Sequence, residues 1–303
     1  MRYPRGVPGT FRSLAGGEPI GVFALSGPVD PVRLEAGLDV LRSWGHPVVE
    51  AANVRTRGPV RYLAGGDRER LNGLLGLLDR GVRVAIAARG GYGVMRLAGE
   101  LPEGRLAREG ACLVGFSDLT PLLVRLASAG HPQVHGPVVA SLPDDQESAE
   151  RLRRILMGEL GPGDVLMAFG PGEVVRPGRV FGVLLGGNLT MLAASVGTPA
   201  EADFAGTILA LEDINEPIYR IDRLLTQLRL SGRLDGVKAL IYGDLSDFEP
   251  ADRVRLRELL LEAVPNVPVV AGLPFGHGRR NDPFLLGGVV ELDTAAGTLV
   301  WGG

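Results

Sequence analysis

Short apolar runs alternate with amphipathic stretches over residues 19–136, and this alternation constrains the fold more than any other feature of the sequence. The apolar runs are predicted strands, at residues 20–25, 48–51, 82–88, 111–116 and 133–135. The stretches between them are predicted helices, at residues 31–44, 67–80, 93–98 and 118–129, and Asp30-Pro31 is typical of a helix start. Such alternation favours an α/β fold with a parallel sheet covered on both faces, whose ligands bind at the carboxyl ends of the strands.

Residues 141–178 interrupt this alternation. A charged helix is predicted up to Met157, and a segment rich in glycine and proline follows it. Because domain boundaries fall in such segments, the sequence predicts an N-terminal domain over residues 1–140, a linker over 141–178 and a C-terminal domain over 179–303. In the last of these, strands are predicted at 180–185, 207–211, 237–242, 269–271, 289–292 and 299–301, and helices after Gly187-Asn188, at 218–230 and at 251–264.

Charge and hydropathy exclude several classes of protein. The net charge is −3, from 32 basic and 35 acidic residues, with no basic stripe of the kind that a dedicated nucleic-acid binder carries. No apolar stretch approaches the roughly 18 residues of a membrane span, and the N-terminus lacks the apolar region of a secretory signal. The only cysteine, Cys112, lies in an apolar run and is predicted to be buried. We therefore expect a cytoplasmic protein without membrane or nucleic-acid partners.

Ser117 follows the predicted strand 111–116 and precedes a helix. Its hydroxyl would lie at the carboxyl edge of the sheet, and the amide of Asp118 would point toward the same space, as an oxyanion hole requires. The segment resembles a nucleophile elbow, although Leu119 stands where G-x-S-x-G has its second glycine. The alternative is that Ser117 or Asp118 only caps the helix.

Three further segments place polar groups at strand ends. Arg89-Gly-Gly-Tyr-Gly93 follows the strand 82–88 and could be a phosphate cradle or a plain tight turn, although it lacks a complete phosphate-binding motif. Glu212 and Asp213 follow the apolar strand 207–211, with Glu216 close behind, where it could also cap the next helix. His277 lies between two glycines, and the other three histidines, His46, His131 and His135, are interpreted as structural.

No metal-binding pattern is present, because the four histidines are scattered and a single cysteine cannot form a thiolate cluster. Without a metal, hydrolysis of a polar bond would need a nucleophilic side chain. The sequence offers a serine, a carboxylate and a histidine for this, each at a strand end. We expect neither a metal nor another cofactor.

Taken together, these segments resemble the LD-carboxypeptidase family of serine peptidases, which includes muramoyltetrapeptide carboxypeptidases and microcin immunity peptidases. The resemblance extends over residues 20–292 and rests on IGVFALSGPVDPVRLEAGLDVLRSWGHPVV, AARGGYGVMRL, GFSDLT, HGPV, LLGGNLTMLAASVGTP, LEDINEPIYRIDRLLTQLRLSG and GLPFGHG, in this order.

The resemblance implies a Rossmann-like N-terminal domain, a smaller C-terminal domain with a mixed or barrel-like sheet, and an active site in the cleft between them. It implies Ser117 as the nucleophile, His277 as the base and Glu212 as the acid, with the amides of Gly91 and Asp118 as the oxyanion hole. Asp213 and Glu216 compete with Glu212 for its role. The implied substrate is a cytoplasmic murein tetrapeptide that loses its terminal D-alanine during peptidoglycan recycling, and the implied assembly is a homodimer.

Two other functions stay open. A family member of the microcin immunity type would cleave a peptidyl- or aminoacyl-nucleotide and stack an aromatic ring on the base, but aromatic residues are scarce here, and Trp44 and Trp301 lie in a predicted helix and strand. A non-catalytic ligand-binding protein could keep the same fold. Release of D-alanine from a muropeptide would distinguish the three.

Overall fold

Two sheets, each covered by helices, make up the molecule. The computed structural model describes residues 11, 13–58, 60–245 and 248–302. The elements of the first half are β1 (Ile20–Phe23), α1 (Pro31–Ser43), β2 (Val48–Glu50), α2 (Asp67–Asp79), β3 (Val84–Ala87), α3 (Glu103–Arg108), β4 (Cys112–Gly115), α4 (Thr120–Ser128), β5 (Gln133–His135) and α5 (Gln146–Leu156). Those of the second half are β6 (Val165–Ala168), β7 (Val174–Arg176), β8 (Arg179–Asn188), α6 (Leu189–Ser195), β9 (Thr207–Glu212), α7 (Ile218–Leu230), β10 (Ala239–Tyr242), α8 (Pro250–Ala263), β11 (Val269–Ala271), β12 (Phe284–Leu286), β13 (Val289–Asp293) and β14 (Thr298–Trp301).

The first sheet has the strand order β12-β5-β4-β3-β1-β2. The strands from β5 to β2 pair in parallel, and only β12, at one edge, is antiparallel. The chain order reverses between β1 and β3, and in doubly wound sheets the loops that follow such strands border the ligand crevice. The predicted Rossmann-like half is therefore confirmed.

The second sheet has the order β6-β14-β13-β8-β9-β10-β11-β7. Strands β8 to β11 are parallel, whereas the pairs at both sides of them are antiparallel, so the sheet is mixed as predicted. The carboxyl ends of β8 to β11 consequently lie at one edge.

Burial explains why the central strands form where they do. All residues of β1, β3, β4, β9 and β10 are buried, as expected for strands with helices on both faces. The first helix begins as predicted, with the Asp30 side chain accepting hydrogen bonds from the amides of Val32 and Arg33 and with Pro31 in its first turn. Cys112 is buried in the core, and this burial raises the pKa of its thiol to about 12.

The two sheets meet beside the carboxyl ends of their strands. The amide of Asn188, at the end of β8, donates to Oγ1 of Thr120, the first residue of α4, at 3.1 Å. Strand β12 comes from the second half of the chain but pairs with β5 in the first sheet. These contacts bring the loops after β4 close to those after the second sheet's parallel strands.

Several elements differ from the sequence-based prediction. Strands β6 and β7 lie within residues 141–178 and join the second sheet, and β12 was not predicted. Residues 94–97 form a 3-10 helix where a regular helix was predicted at 93–98, and the helix predicted from 118 begins with the 3-10 residues 117–119. Helix α3 was not predicted. The domain boundaries proposed above stay a prediction. Among the described residues, no helix is long and apolar enough to cross a membrane.

Candidate active site

Ser117 occupies a backbone conformation that residues other than glycine rarely adopt. Its φ is 60°, at the turn that leads from β4 into the 3-10 helix of residues 117–119. Such strain concentrates at functional turns, where it projects a side chain out of the sheet edge. No side chain caps the 3-10 helix or α4, so the alternative in which Ser117 or Asp118 is a helix cap is not what the structure shows.

The Asp118 side chain instead ties three loops together. Its Oδ2 accepts hydrogen bonds from Oγ of Ser26 at 2.6 Å and from the amide of Val94 at 3.0 Å. Burial raises the pKa of this carboxyl, against the opposing effect of the hydrogen bonds. The turn that carries Ser117 is thereby fixed to the loops after β1 and β3.

The glycine loop after β3 packs directly against Ser117. A Cβ added at Gly90 would lie 3.2 Å from Cβ and 3.4 Å from Oγ of Ser117, and the Gly90 carbonyl accepts from the Gly27 amide at 3.2 Å. Gly91 has a φ of +116°, which explains the need for glycine there. The glycine loop thus packs beside the serine, and the two interpretations of its sequence stay open.

Glu212 and His277 form a hydrogen bond at the edge of the second sheet. Nδ1 of His277 and Oε2 of Glu212 are 2.6 Å apart, and Glu212, the last residue of β9, is 1% exposed. A carboxylate on Nδ1 favours the tautomer with the proton on that nitrogen, which directs Nε2 to the opposite side of the ring. This is the arrangement of a base and the group that orients it.

The ring of His277 also contacts the residue next to Ser117. The ring centroids of Phe116 and His277 are 4.7 Å apart, so the turn after β4 and the loop after β11 touch. Behind them His135 stacks on Phe284 at 4.6 Å, and burial lowers the pKa of His135 to about 3. His135 is therefore neutral and part of the core, in agreement with its structural interpretation.

Asp213 and Glu216, the competitors of Glu212, have other partners. Asp213 accepts from Nδ2 of Asn188 at 3.0 Å and from the amide and hydroxyl of Thr190 at 2.9 and 2.8 Å, which holds the start of α6. Glu216 forms an ion pair with Arg220 at 3.4 Å. The helix-cap interpretation of Glu216 is wrong, because no side chain caps α7.

An acidic cavity of about 240 Å³ opens beside His277. Its lining consists of Asp213, Asn215, Glu216, Pro217, Asp244, Phe248, Asp252, His277 and Gly278. Asp244 and Asp252 were not among the residues predicted for the site. Asp244 comes two residues after β10, so the strand-end rule that identified Glu212 could have found it, whereas Asp252 lies in the first turn of α8 and gives no such signal.

No group of three or more histidine, cysteine or acidic residues in the described part of the chain is arranged to hold a metal ion. The groups that the structure does assemble at the two sheet edges are a strained serine, a histidine–glutamate pair and a glycine turn. Such a set can perform nucleophilic acyl chemistry.

Comparison with known proteins identifies the family. Residues 20–136 match the model of the LD-carboxypeptidase N-terminal domain, and residues 181–292 match that of the C-terminal domain. A putative carboxypeptidase of Streptomyces coelicolor is 42% identical, over 94% of this chain and 94% of that protein. A murein tetrapeptide carboxypeptidase of Pseudomonas aeruginosa is 34% identical, over 90% of this chain and 93% of that protein.

Solved structures agree with this result. The muramoyltetrapeptide carboxypeptidase of Oxalobacter formigenes superposes with a TM-score of 0.82 at 32% identity, covering 94% of this chain and 99% of that one. The microcin C7 self-immunity protein MccF, solved with aspartyl sulfamoyl adenosine, has a TM-score of 0.79 at 22% identity, covering 96% and 97% of the two chains, and shows the shared fold. With both family models matched and relatives similar over nearly its whole length, this chain belongs to the LD-carboxypeptidase family of peptidases.

Proposed function

We propose that this protein is a serine LD-carboxypeptidase that removes the C-terminal D-alanine from murein tetrapeptides. The observation that carries the proposal is the 2.6 Å hydrogen bond between Glu212 and His277, beside the strained turn of Ser117. The relatives from Pseudomonas aeruginosa and Oxalobacter formigenes, whose names specify murein tetrapeptide and muramoyltetrapeptide, support the substrate class.

The mechanism begins with attack by Ser117. Nε2 of His277 takes the hydroxyl proton while Oγ of Ser117 adds to the carbonyl carbon of the scissile bond. Glu212 keeps the proton on Nδ1 and stabilises the imidazolium that forms. His277 then protonates the departing amine of D-alanine, and water, deprotonated by the same imidazole, hydrolyses the acyl-enzyme.

The amides of Gly91 and Asp118 complete the site in this proposal. They would donate to the oxyanion of the tetrahedral intermediate, a contribution of about 3 kcal/mol for each donor in comparable sites. The close packing of the glycine turn on Ser117 and the Asp118 bonds to Ser26 and Val94 support this assignment, because they hold both segments beside the nucleophile.

Hydrolysis of an aminoacyl-nucleotide is the competing activity. Against it, Trp301 is only 8% exposed in β14, and Trp44 lies at the end of α1, packed on the core, so both tryptophans have packing roles. Cytoplasmic location and a homodimeric state complete the proposal; cell fractionation and sedimentation analysis test them.

The deciding experiment offers the purified protein a muramoyl tetrapeptide, the same peptide ending in L-alanine, and aspartyl sulfamoyl adenosine. Mass spectrometry would follow the loss of one alanine or of the aspartyl group. We expect release of D-alanine from the first substrate only. Cleavage of the nucleotide analogue without release of D-alanine would favour the competing activity, and the absence of any product would favour a non-catalytic ligand-binding protein.

A further inference from the structure

Arg70, in α2, is a completely buried arginine that the proposed mechanism does not use. Its side chain is 0% exposed. Nη1 of its guanidinium donates to the carbonyls of Leu25 and Gly93, the second at 3.0 Å, and Nη2 donates to Oδ1 of Asp67 at 2.5 Å. Leu25 lies in the loop after β1, and Gly93 ends the glycine loop after β3. One guanidinium therefore joins the two loops to which the turn of Ser117 is fixed.

The peptide group between Gly93 and Val94 lies between two groups of opposite charge. Its carbonyl accepts a hydrogen bond from Arg70 at 3.0 Å, and its N–H donates to Oδ2 of Asp118 at 3.0 Å. Burial raises the pKa of the Asp118 carboxyl, and the charge of Arg70 opposes that shift. Hydrogen bonds to charged groups are stronger than those between neutral groups, so the orientation of this peptide group is fixed from both sides.

The loop after β1 is held by the same two side chains, at neighbouring residues. Arg70 donates to the carbonyl of Leu25, and the carboxylate of Asp118 accepts from Oγ of Ser26 at 2.6 Å. A substitution that removes the guanidinium would therefore release both loops at once. It would also leave the buried carboxyl of Asp118 without the positive charge that opposes its protonation.

Both proposed oxyanion donors lie within two residues of these contacts. One is the amide of Asp118 itself, and the other is the amide of Gly91, two residues before Gly93. The start of the glycine loop is fixed separately, since the carbonyl of Gly90 accepts from an amide of the loop after β1 at 3.2 Å. Arg70 fixes the other end. Because oxyanion donors stabilise a transition state only when they are already oriented, their effect depends on both attachments.

Stability alone explains the burial of this arginine poorly. A buried guanidinium loses its hydration, and Nε of Arg70 has no hydrogen-bond partner among the described residues. We propose that Arg70 is a positioning residue that holds the two oxyanion amides, those of Gly91 and Asp118, in the orientation that the transition state requires. It acts through the peptide group between Gly93 and Val94 and through the carboxylate of Asp118. The inference rests on the proposed function and adds to it a residue that touches no substrate.

The test measures how fast an alkyl fluorophosphonate labels Ser117. This reagent contains no murein peptide. Its phosphonyl oxygen gains negative charge as Oγ of Ser117 adds to phosphorus and fluoride leaves, so the rate depends on the oxyanion donors. Arg70→Met should lower the labelling rate per folded molecule about tenfold or more, since outright loss of one such donor costs about 10²–10³-fold. A wild-type rate in folded Arg70→Met would overturn the proposal.

Kinetics on a murein tetrapeptide gives a second readout. In Arg70→Met, kcat should fall by a factor similar to that of the labelling rate, while KM should stay close to the wild-type value, because the oxyanion forms only in the transition state. A variant in which KM rises and kcat is unchanged would contradict the proposal.

Arg70→Lys keeps the test decisive if the methionine variant does not fold. Lysine retains the buried charge but loses the planar fork that reaches the carbonyls of Leu25 and Gly93 together. Labelling of Arg70→Lys should be several-fold slower than that of the wild type. Equal rates would show that the fork does not orient the donors and would contradict the proposal.

Two controls separate positioning from a loss of charge or of stability. The half-exposed guanidinium of Arg96 bonds to the same Asp67, at 2.9 and 2.7 Å, so Arg96→Gln removes a charge from this cluster but leaves Arg70 in place. Leu74→Ala weakens α2 at a buried position one turn further along. Both variants should label Ser117 at nearly the wild-type rate per folded molecule. A loss in either as large as that of Arg70→Met would contradict the proposal.

Labelling also separates this proposal from the proposed function. If the wild type is labelled at Ser117 but releases no D-alanine, the peptidase proposal alone fails, and the labelling rates of the variants still decide the role of Arg70. A wild-type protein that is neither labelled nor active would overturn the serine mechanism and the role of Arg70 with it.

Discussion

Glu212 and His277 are 65 residues apart in the sequence, yet Oε2 of one and Nδ1 of the other are 2.6 Å apart at the edge of the second sheet. The next residue, Asp213, bonds to Asn188 and Thr190 instead. Two adjacent acids thus have separate partners, because the chain turns as it leaves β9. This separation makes the assignment of the acid testable by single substitutions.

Glu212→Gln should lower kcat by about 10⁴-fold, because an amide neither fixes the required tautomer nor stabilises imidazolium. Glu216→Gln should change kcat far less and cost at most about 1 kcal/mol of stability, since it breaks only a half-exposed ion pair with Arg220. Steady-state kinetics on a murein tetrapeptide checks both variants, with urea unfolding as the control for stability. A larger loss of kcat in Glu216→Gln would show that the acid has been assigned to the wrong residue.

Gly276→Ala should disturb the histidine–glutamate pair. A Cβ at Gly276 would lie 2.8 Å from Cβ and 2.9 Å from Oε2 of Glu212, and the residue has a φ of +101°. Gly45→Ala is the matched control, because Gly45 has a φ of +81° but no atom within 4 Å of the added Cβ. Both variants should lose about 1–2 kcal/mol of stability from the backbone conformation, and only Gly276→Ala should also lose kcat. Equal kcat values in the two would argue against the importance of this packing.

The buried His135 should make stability fall in mild acid. Its pKa is lowered from 6.5 to about 3 by burial, so between these values the unfolded chain binds a proton that the folded protein does not. The free energy of unfolding then decreases as pH falls through this range, by up to about 1.4 kcal/mol per pH unit.

His135→Phe removes the imidazole that binds this proton in the unfolded chain, and it keeps a ring that can stack on Phe284. Urea unfolding at pH 7.5 and pH 5 should therefore show a smaller decrease for the variant than for the wild type. The measurement avoids the range below about pH 4.5, where acids such as Asp67, whose pKa is lowered to about 2 by Arg96, add their own loss. An equal decrease in both proteins would exclude His135 as the source.

Chelators should leave the activity unchanged, because the proposed mechanism uses only the side chains of Ser117, His277 and Glu212 and two backbone amides. The measurement is D-alanine release with and without EDTA after prolonged dialysis. Loss of activity that zinc or manganese restores would overturn the serine mechanism.

Much of the fold could be predicted because its central strands are strongly patterned. The helix Ile218–Leu230 and the strands Gln133–His135 and Val269–Ala271 have the bounds that their sequences indicated. Strands β6, β7 and β12 were missed because they lie outside the alternation of apolar and amphipathic stretches that marked the other strands. Their pairing comes from strands far away in the sequence, as when β12 pairs with β5.

Part of the candidate site could likewise be predicted from the sequence, and part could not. The rule that parallel strands present ligands at their carboxyl ends led to Ser117, Glu212 and His277. The same rule could not decide between Glu212 and Asp213. Strand β9 is buried on both faces, so the alternation of apolar and polar residues does not show which of the two side chains faces the site. The choice of Glu212 came from the family resemblance. The bond between Ser26 and Asp118 and the place of Asp252 beside His277 depend on packing between distant segments, which no local pattern records.

Release of D-alanine from a murein tetrapeptide by the wild type and by Ser117→Ala tests the central claim most directly. The substitution removes one hydroxyl at a turn held by Asp118, so circular dichroism and unfolding should be close to wild type. The account predicts stoichiometric release of D-alanine by the wild type and a kcat lowered about 10⁴-fold or more in the variant. A folded Ser117→Ala protein that releases D-alanine at nearly the wild-type rate would contradict it.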